Sequence, residues 1–148
     1  MTIYPDTDYD SWISWDDAEA YFQTRLHSDE WHNTLLDIQE VALLTAFRSL
    51  NELDLNLVFT TDKVLSEAHY TDTQIIEILT ALKQAQCEQT LHEIRNDPEG
   101  QSIERVNIGG LLSVSLPDKE GKQPPRYAQR AISMLRPYIR APIVSRTR

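Results

Sequence analysis

Four aspartates near the start of the chain have a spacing that could bind calcium. Asp6, Asp8, Asp10 and Asp17 occupy positions 1, 3, 5 and 12 of a calcium-binding loop, which holds the ion with oxygen ligands. Such a loop also needs glycine at position 6, for a sharp turn, and a bidentate glutamate at position 12. Ser11 stands at position 6, and Asp17 fits the start of a helix. We therefore interpret these residues as a solvated acidic segment.

The histidines and the cysteine lack the spacing of a metal site. His27 and His32 are five positions apart, which places them on different sides of a helix, and Cys87 and His92 repeat that spacing. Cys87 falls inside a predicted helix, without a helix N-terminus or a neighbouring base that would activate its thiol. The chain contains neither a phosphate-binding glycine loop nor a Gly-x-Ser-x-Gly sequence. We expect no catalytic, metal-binding or cofactor-binding residue and no enzymatic activity.

Charge is divided unevenly along the chain. Residues 117–148 carry eight basic and two acidic side chains, a net charge of +6, whereas residues 1–116 carry 6 basic and 21 acidic side chains, a net charge of −15. A protein that holds nucleic acid by its phosphates needs a cationic surface. Only the C-terminal segment could supply one.

Length and composition predict one soluble domain. The 148 residues are enough to bury a hydrophobic core, and only four glycines argue against a β-rich fold. A single cysteine excludes an internal disulfide and suits a reducing compartment. No apolar stretch approaches the roughly 20 residues of a membrane helix, so we expect no membrane contact.

Apolar periodicity predicts four helices, which span about 15–27, 35–53, 71 or 72 to 95, and from Pro124-Pro125 to about 136. Ser14 fits the N-cap of the first helix. The apolar stripe of the second helix, which includes Leu35, Ile38 and Val41, is too broad for one face, so we expect this helix to be central and buried on more than one side. Residues 54–70 have mixed character, with a short helical turn expected within 62–69.

The C-terminal third of the chain predicts two further features. Residues 103–116 alternate apolar and polar side chains around Gly109-Gly110, which indicates a β-hairpin. Beyond the last helix, prolines interrupt regular structure and indicate an extended arm. The predicted fold is mainly α: a small bundle of about four helices with one β-hairpin, spanning 1–136, followed by an extended C-terminal arm, 137–148.

Three tryptophans, Trp12, Trp15 and Trp31, are concentrated near the first helix. Large aromatic side chains pack in cores, and they also anchor protein interfaces. Core packing and an intersubunit contact are both open interpretations.

Three stretches resemble the head–tail connector, or adaptor, proteins from the neck of tailed phages. They are Ser14-x-x-Asp17-Ala18-x-Ala20-Tyr21-Phe22-x-x-Arg25-Leu26-His27 with Trp31 after it, Ala42-Leu43-x-x-Ala46-x-Arg48-x-Leu50 followed by Leu53-Asp54, and Leu135-Arg136-Pro137-Tyr138-Ile139-Arg140. With the long third helix and the hairpin, the likeness covers most of the chain in the same order. The sequence departs from the family near 58–70, where an aromatic-proline stretch is usual.

The resemblance implies a structural virion protein, made in the host cytoplasm and located at the head–tail junction. It implies a ring, commonly dodecameric, below the portal protein and above a downstream neck or tail protein, through which double-stranded DNA passes without tight binding. Portal binding would fall to the C-terminal arm, through Arg136, Tyr138, Ile139, Arg140, Ile143, Val144, Arg146 and Arg148. The same family is also labelled as single-stranded DNA-binding, which is the alternative function.

Overall fold

The computed structural model describes residues 1–96 and 125–140, and this part of the chain is mainly helical. Its helices are α1 (Trp15–Gln23), α2 (Asp29–His32), α3 (Leu36–Asn51), α4 (Asp72–Arg95) and α5 (Gln129–Leu135), with a 3-10 turn at Arg136–Tyr138. Within these residues β structure is limited to isolated bridges. The predicted hairpin near 103–116 lies outside the described residues. No helix among those described is both long and apolar enough to cross a membrane.

Local capping signals determine where two of the helices begin. The Ser14 hydroxyl accepts a hydrogen bond from the backbone N–H of Asp17 (3.1 Å) at the start of α1. Thr71 and Gln74 form a reciprocal capping box at the start of α4, so Thr71 rather than Asp72 is the cap. The predicted limits of α4 agree with the structure. In contrast, α1 ends four residues before the predicted end, and His27 then adopts a positive φ of 61°, which no right-handed helix contains.

Helix α4 is the centre of the molecule. Among the described elements it makes its most extensive contacts with α3 and α5, and it also contacts α1 and α2. The described residues form two core clusters around it. The first contains Trp12, Phe47, Leu50, Leu65, Ile78, Leu82, Ala85, Ala128, Ala131 and Leu135. The second contains Ile13, Ala18, Phe22, Trp31, Ala42, Leu43, Cys87, Leu91 and Ile94.

Buried polar side chains in the middle of α4 connect it to other segments. Gln86 is fully buried. Its amide oxygen accepts from the backbone N–H of Trp12 (2.9 Å), and its nitrogen donates to the Leu43 carbonyl (2.9 Å) and to Ser11 Oγ (2.8 Å). These bonds satisfy backbone groups that are closed to water and would otherwise destabilise the fold. The N-terminal segment is thereby attached to α3 and α4.

Gln89 makes the equivalent connection to the C-terminal helix. This side chain is also fully buried; its oxygen accepts from the Ala128 N–H (2.8 Å), and its nitrogen donates to the Arg126 carbonyl (2.9 Å). The Ala128 N–H lies at the N-cap of α5, where no intrahelical acceptor exists. Gln89 therefore caps α5 from a neighbouring helix.

The first 13 residues contact the body through Tyr4, Tyr9 and residues 11–13, while Asp6 and Asp8 remain exposed, in agreement with a solvated acidic segment. Tyr4 and Tyr9 form an edge-to-face chain with Phe47, with ring centroids 5.0 and 5.8 Å apart. The Tyr4 hydroxyl accepts from the Leu65 N–H (2.9 Å), and the Tyr9 hydroxyl donates to the Lys63 carbonyl (2.8 Å). These contacts also order the segment between α3 and α4, which contains an isolated bridge, Phe59 to Leu65. Where a short helical turn was expected, the Ser66 carbonyl accepts from the N–H groups of His69 (3.1 Å) and Tyr70 (3.0 Å), which forms a single turn.

Candidate interaction surfaces

Helix α3 exposes a group of large apolar side chains at its N-terminal end, which we call the α3 face. It consists of Leu35, Leu36, Ile38 and Val41, whose side chains are 69%, 55%, 48% and 59% exposed. The opposite side of the helix is buried against α4 through residues that include Ala42, Leu43 and Ala46. The expectation that this helix is buried on more than one side is therefore wrong for its first two turns. The breadth of the apolar stripe is real, but the described residues cover only part of it.

Acidic residues surround the α3 face. Asp37 and Glu40 are exposed and alternate with its apolar side chains along the helix. Between residues 28 and 47 the chain has no lysine or arginine. The α3 face is therefore an apolar patch whose neighbouring charged side chains on the helix are negative.

The opposite charge is concentrated in residues 125–140, which contain four arginines and no acid. We call Arg126, Arg130, Arg136 and Arg140 the cationic strip; all four are exposed. Arg126 forms an exposed ion pair with Glu52, and Arg140 forms another with Asp54 (3.1 Å). Such solvated pairs contribute little stability. They nevertheless fix both ends of the strip beside the C-terminal end of α3.

The first residues of the predicted arm lie against the body. The Tyr138 carbonyl accepts from the Asn56 N–H (2.6 Å), Ile139 forms a bridge with Leu55, and the Arg140 N–H donates to the Asp54 carbonyl (2.9 Å). Tyr138 and Ile139 are half-buried and pack against the first core cluster. The predicted arm is therefore not extended at its first residues, because Arg136–Tyr138 form a 3-10 turn that these contacts hold in place. Its other predicted site residues, Ile143, Val144, Arg146 and Arg148, lie outside the described residues.

The tryptophans belong mainly to the core. Trp12 and Trp31 are 1% and 0% exposed, and the Trp31 indole N–H donates to Glu19 (2.8 Å). Burial places both rings where a second subunit cannot reach them, which corrects the intersubunit interpretation for these two residues. Trp15 is half-buried, and its indole N–H donates to Gln39 (2.8 Å).

A buried ion pair joins the segment just after α1 to α4, and sequence reasoning missed it. Arg25 donates to both oxygens of Glu88, from Nε (2.7 Å) and from Nη2 (2.8 Å), and the two side chains are only 11% and 3% exposed. The Tyr21 hydroxyl donates to the same carboxylate. Burial raises the pKa of Glu88, but the hydrogen bonds from Arg25 and Tyr21 outweigh that effect, and the pKa lies below its ordinary value. Glu88 therefore remains ionised within the bundle.

Further basic groups surround this pair in a shallow groove. Arg95 donates to the His27 carbonyl (2.6 Å) and pairs with Glu30 (3.3 Å), while His92 Nε2 contacts the Pro125 carbonyl (2.6 Å). Arg130 also lines the groove. Because the guanidinium groups of Arg25 and Arg95 are hydrogen-bonded to carbonyls and carboxylates of this chain, we interpret the groove as a structural contact that joins neighbouring segments, and not as a ligand site.

The described residues bring together no group of three His, Cys, Asp or Glu side chains that could hold a metal ion. Asp10, one of the candidate calcium ligands, accepts a hydrogen bond from the Thr2 N–H (2.7 Å). Cys87 is fully buried, and burial, with the nearby Glu88 and Asp17 carboxylates, raises the pKa of its thiol. A raised pKa disfavours the thiolate, the form in which cysteine acts as a nucleophile or metal ligand.

Comparison with protein-family models, curated proteins and solved structures gave no match to this chain.

Proposed function

We propose that this chain is a structural virion protein, a head–tail adaptor that forms a ring below the portal and continues the DNA channel towards the tail. Its basic C-terminal arm would bind the portal protein, and the opposite side of the ring would meet a downstream neck or tail protein. The likeness of three sequence stretches to phage connectors suggests this class. The observation that carries the proposal is the division of charge between an acidic body and a cationic C-terminal end.

The acidic body suits a conduit for DNA. Residues 1–96 carry 18 acidic and five basic side chains, a net charge of −13. Phosphate contacts with basic side chains would retard a passing duplex, whereas an acidic wall leaves it mobile. The same charge is unsuited to a protein whose task is to hold DNA.

The C-terminal end suits attachment to an acidic partner. Contacts of Tyr138, Ile139 and Arg140 with residues 54–56 provide a fixed point on the body. The eight residues that follow could span about 28 Å when extended, which is enough to reach along a neighbouring molecule. Ile143 and Val144 would fill apolar pockets, and Arg146 and Arg148 would pair with carboxylates, for which guanidinium groups are well shaped.

Single-stranded DNA binding is the alternative function, and one contact favours it. The Arg126 guanidinium lies 5.5 Å from the ring centroid of Tyr127, which combines a phosphate-binding group with a ring on which a base could stack. A groove for single strands needs several such rings in succession. Tyr127 and Tyr138 are the aromatic residues of 125–140, and both are half-buried against the first core cluster. We therefore place this function second.

The test compares the full chain with a variant that ends at Arg140, which keeps the contacts of Tyr138 and Ile139. A control of full length carries a Gly/Ser sequence in place of residues 141–148. We expect only the wild-type chain to sediment with purified portal rings, while all three proteins keep the same thermal unfolding. Normal portal binding by the shortened chain would exclude residues 141–148 of the arm as the attachment site.

Fluorescence anisotropy with single- and double-stranded oligonucleotides at physiological salt separates the two functions. The adaptor should bind both weakly, and the weak binding should depend on the cationic C-terminal end. Tight binding of single strands by the chain that ends at Arg140 would reverse the order of the two functions.

A further inference from the structure

We infer that the α3 face of one copy binds the cationic strip of a second copy, so that the chain associates head to tail. This inference rests on the proposed function in one respect, since an adaptor ring requires that the chain contact itself. It adds the two surfaces that meet and the polarity of the contact.

The α3 face has the character of a covered surface. Single exposed apolar side chains are normal, but here four large ones occur within seven residues at the end of one helix. Each is at least 48% exposed in the single chain. Burial of such a group against another protein is the usual way in which it gains free energy.

The charges around the α3 face select the kind of partner surface. If two copies paired α3 face to α3 face, Asp37 and Glu40 would meet the same carboxylates of the second copy, and like charges oppose binding. A surface with basic residues and no acid would complement the face. Among the described residues, the segment 125–140 carries four arginines and no acid of its own. Arg126 and Arg140 are paired with Glu52 and Asp54, and Arg130 and Arg136 are its other exposed cations, which could meet Asp37 and Glu40.

A copy cannot cover its own α3 face with the ends of its own strip. The ion pairs Arg126 to Glu52 and Arg140 to Asp54 hold both ends beyond the C-terminal end of α3. Val41 and Leu36 lie about 15 and 22 Å from that end, at 1.5 Å per residue. Arg126 and Arg140 of the same molecule therefore do not reach the face, and we assign the strip that covers it to a second copy. Because the two patches differ, the contact is heterologous and repeats from copy to copy, as in a ring or a filament.

Sedimentation velocity of the full chain over a range of concentrations tests the apolar half of the contact. Val41→Asp and Ile38→Asp should each weaken self-association about tenfold or more, because they place a charge in the centre of the interface. Ile76→Asp is the matched control: Ile76 is 64% exposed on α4, away from the α3 face, and its replacement should leave self-association unchanged.

Charge reversal tests the partner surface. Asp37→Arg and Arg136→Glu should each weaken self-association, and the two changes in one chain should restore it, because the pair is then reversed in sign. Arg136 is preferred to Arg130, whose charge acts on the buried Glu88. Arg48→Glu, at an exposed arginine near the other end of α3, is the control for net charge.

The outcomes separate this inference from the proposed function. If the wild type assembles and Val41→Asp assembles equally well, the α3 face is not the interface, and the adaptor proposal stands. If the double variant does not recover while both single variants are weakened, Asp37 and Arg136 do not face each other, and the strip does not bind the α3 face in the proposed way. If the wild type remains monomeric both alone and with portal rings, the inference and the proposed function both fail.

Discussion

Arg25 and Glu88, which are 63 residues apart in the chain, form two hydrogen bonds of 2.7 and 2.8 Å in a site almost closed to water. The pair connects the end of α1 to the middle of α4, the helix around which the bundle is built. Loss of either charge would destabilise the fold, because the other would then be buried without a counter-charge.

Removal of one member of this pair should destabilise the fold strongly. We expect Arg25→Ala to lower the free energy of unfolding by about 3–5 kcal/mol, since it leaves the Glu88 carboxylate buried and unpaired. Arg140→Ala, which removes an exposed ion pair, should cost about 1 kcal/mol or less. Urea unfolding followed by circular dichroism would measure both. Equal effects of the two substitutions would show that burial of the Arg25–Glu88 pair has no energetic importance.

Stability should fall in acid partly because of Glu88. Its pKa is below the ordinary value of 4.5 in the folded chain, so its contribution is fully present above pH 4.5 and is lost as pH falls through the folded pKa. The charged and titratable groups that act on it are Tyr21 from α1, Arg25 just after α1, and Arg130 from α5. In urea unfolding from pH 7 to pH 3, the difference in stability between wild type and Glu88→Gln should shrink towards the acidic end. A difference that stays constant with pH would contradict the lowered pKa.

Gln86 should be far more sensitive to substitution than its exposed neighbour Gln84. Gln86→Leu leaves the buried Trp12 N–H and Leu43 carbonyl without their partner, and each buried unsatisfied group costs about 1–3 kcal/mol. We therefore expect a loss of about 2 kcal/mol or more. Gln84→Leu, on the same helix and equal in chemistry, should change stability by about 0.5 kcal/mol or less. The midpoint of urea unfolding would compare them directly.

Cys87 should react with thiol reagents only when the chain unfolds. Its side chain is fully buried, and burial holds the pKa of the thiol above its ordinary value of 9.0. Labelling with a chromogenic disulfide reagent at pH 8 should be slow without urea and complete in unfolding concentrations of urea. Rapid labelling of the native protein would show that the core around α4 opens easily.

Much of the helical framework can be predicted from local signals in the sequence. Helix α4 begins after Thr71 because a threonine hydroxyl and the Gln74 side chain satisfy the amides of the first turn, and both residues are visible in the sequence. Its predicted end at Arg95 also agrees with the structure. The mainly helical class followed from the same local periodicity.

Features that depend on distant residues were not accessible in this way. The sequence predicted α1 to continue to residue 27, but helix α1 ends at Gln23, and Arg25 then reaches Glu88 on α4. Periodicity reports that a side chain is apolar, not whether this chain or another molecule covers it. For that reason the stripe of α3 was correctly identified as broad, whereas its burial was not.

The sequence by itself determined how charge is divided along the chain. It also determined the starts of the helices that are capped by residues of their own first turn, such as Thr71 and Gln74 at α4. Only the tertiary structure decided that Trp12 and Trp31 are core residues and that Leu35 and Val41 face outwards. It also decided that Arg25 meets Glu88 and that Arg140 meets Asp54. The physical reason is that capping and periodicity act over one or two helical turns, whereas burial and charge pairing depend on which distant segments pack together.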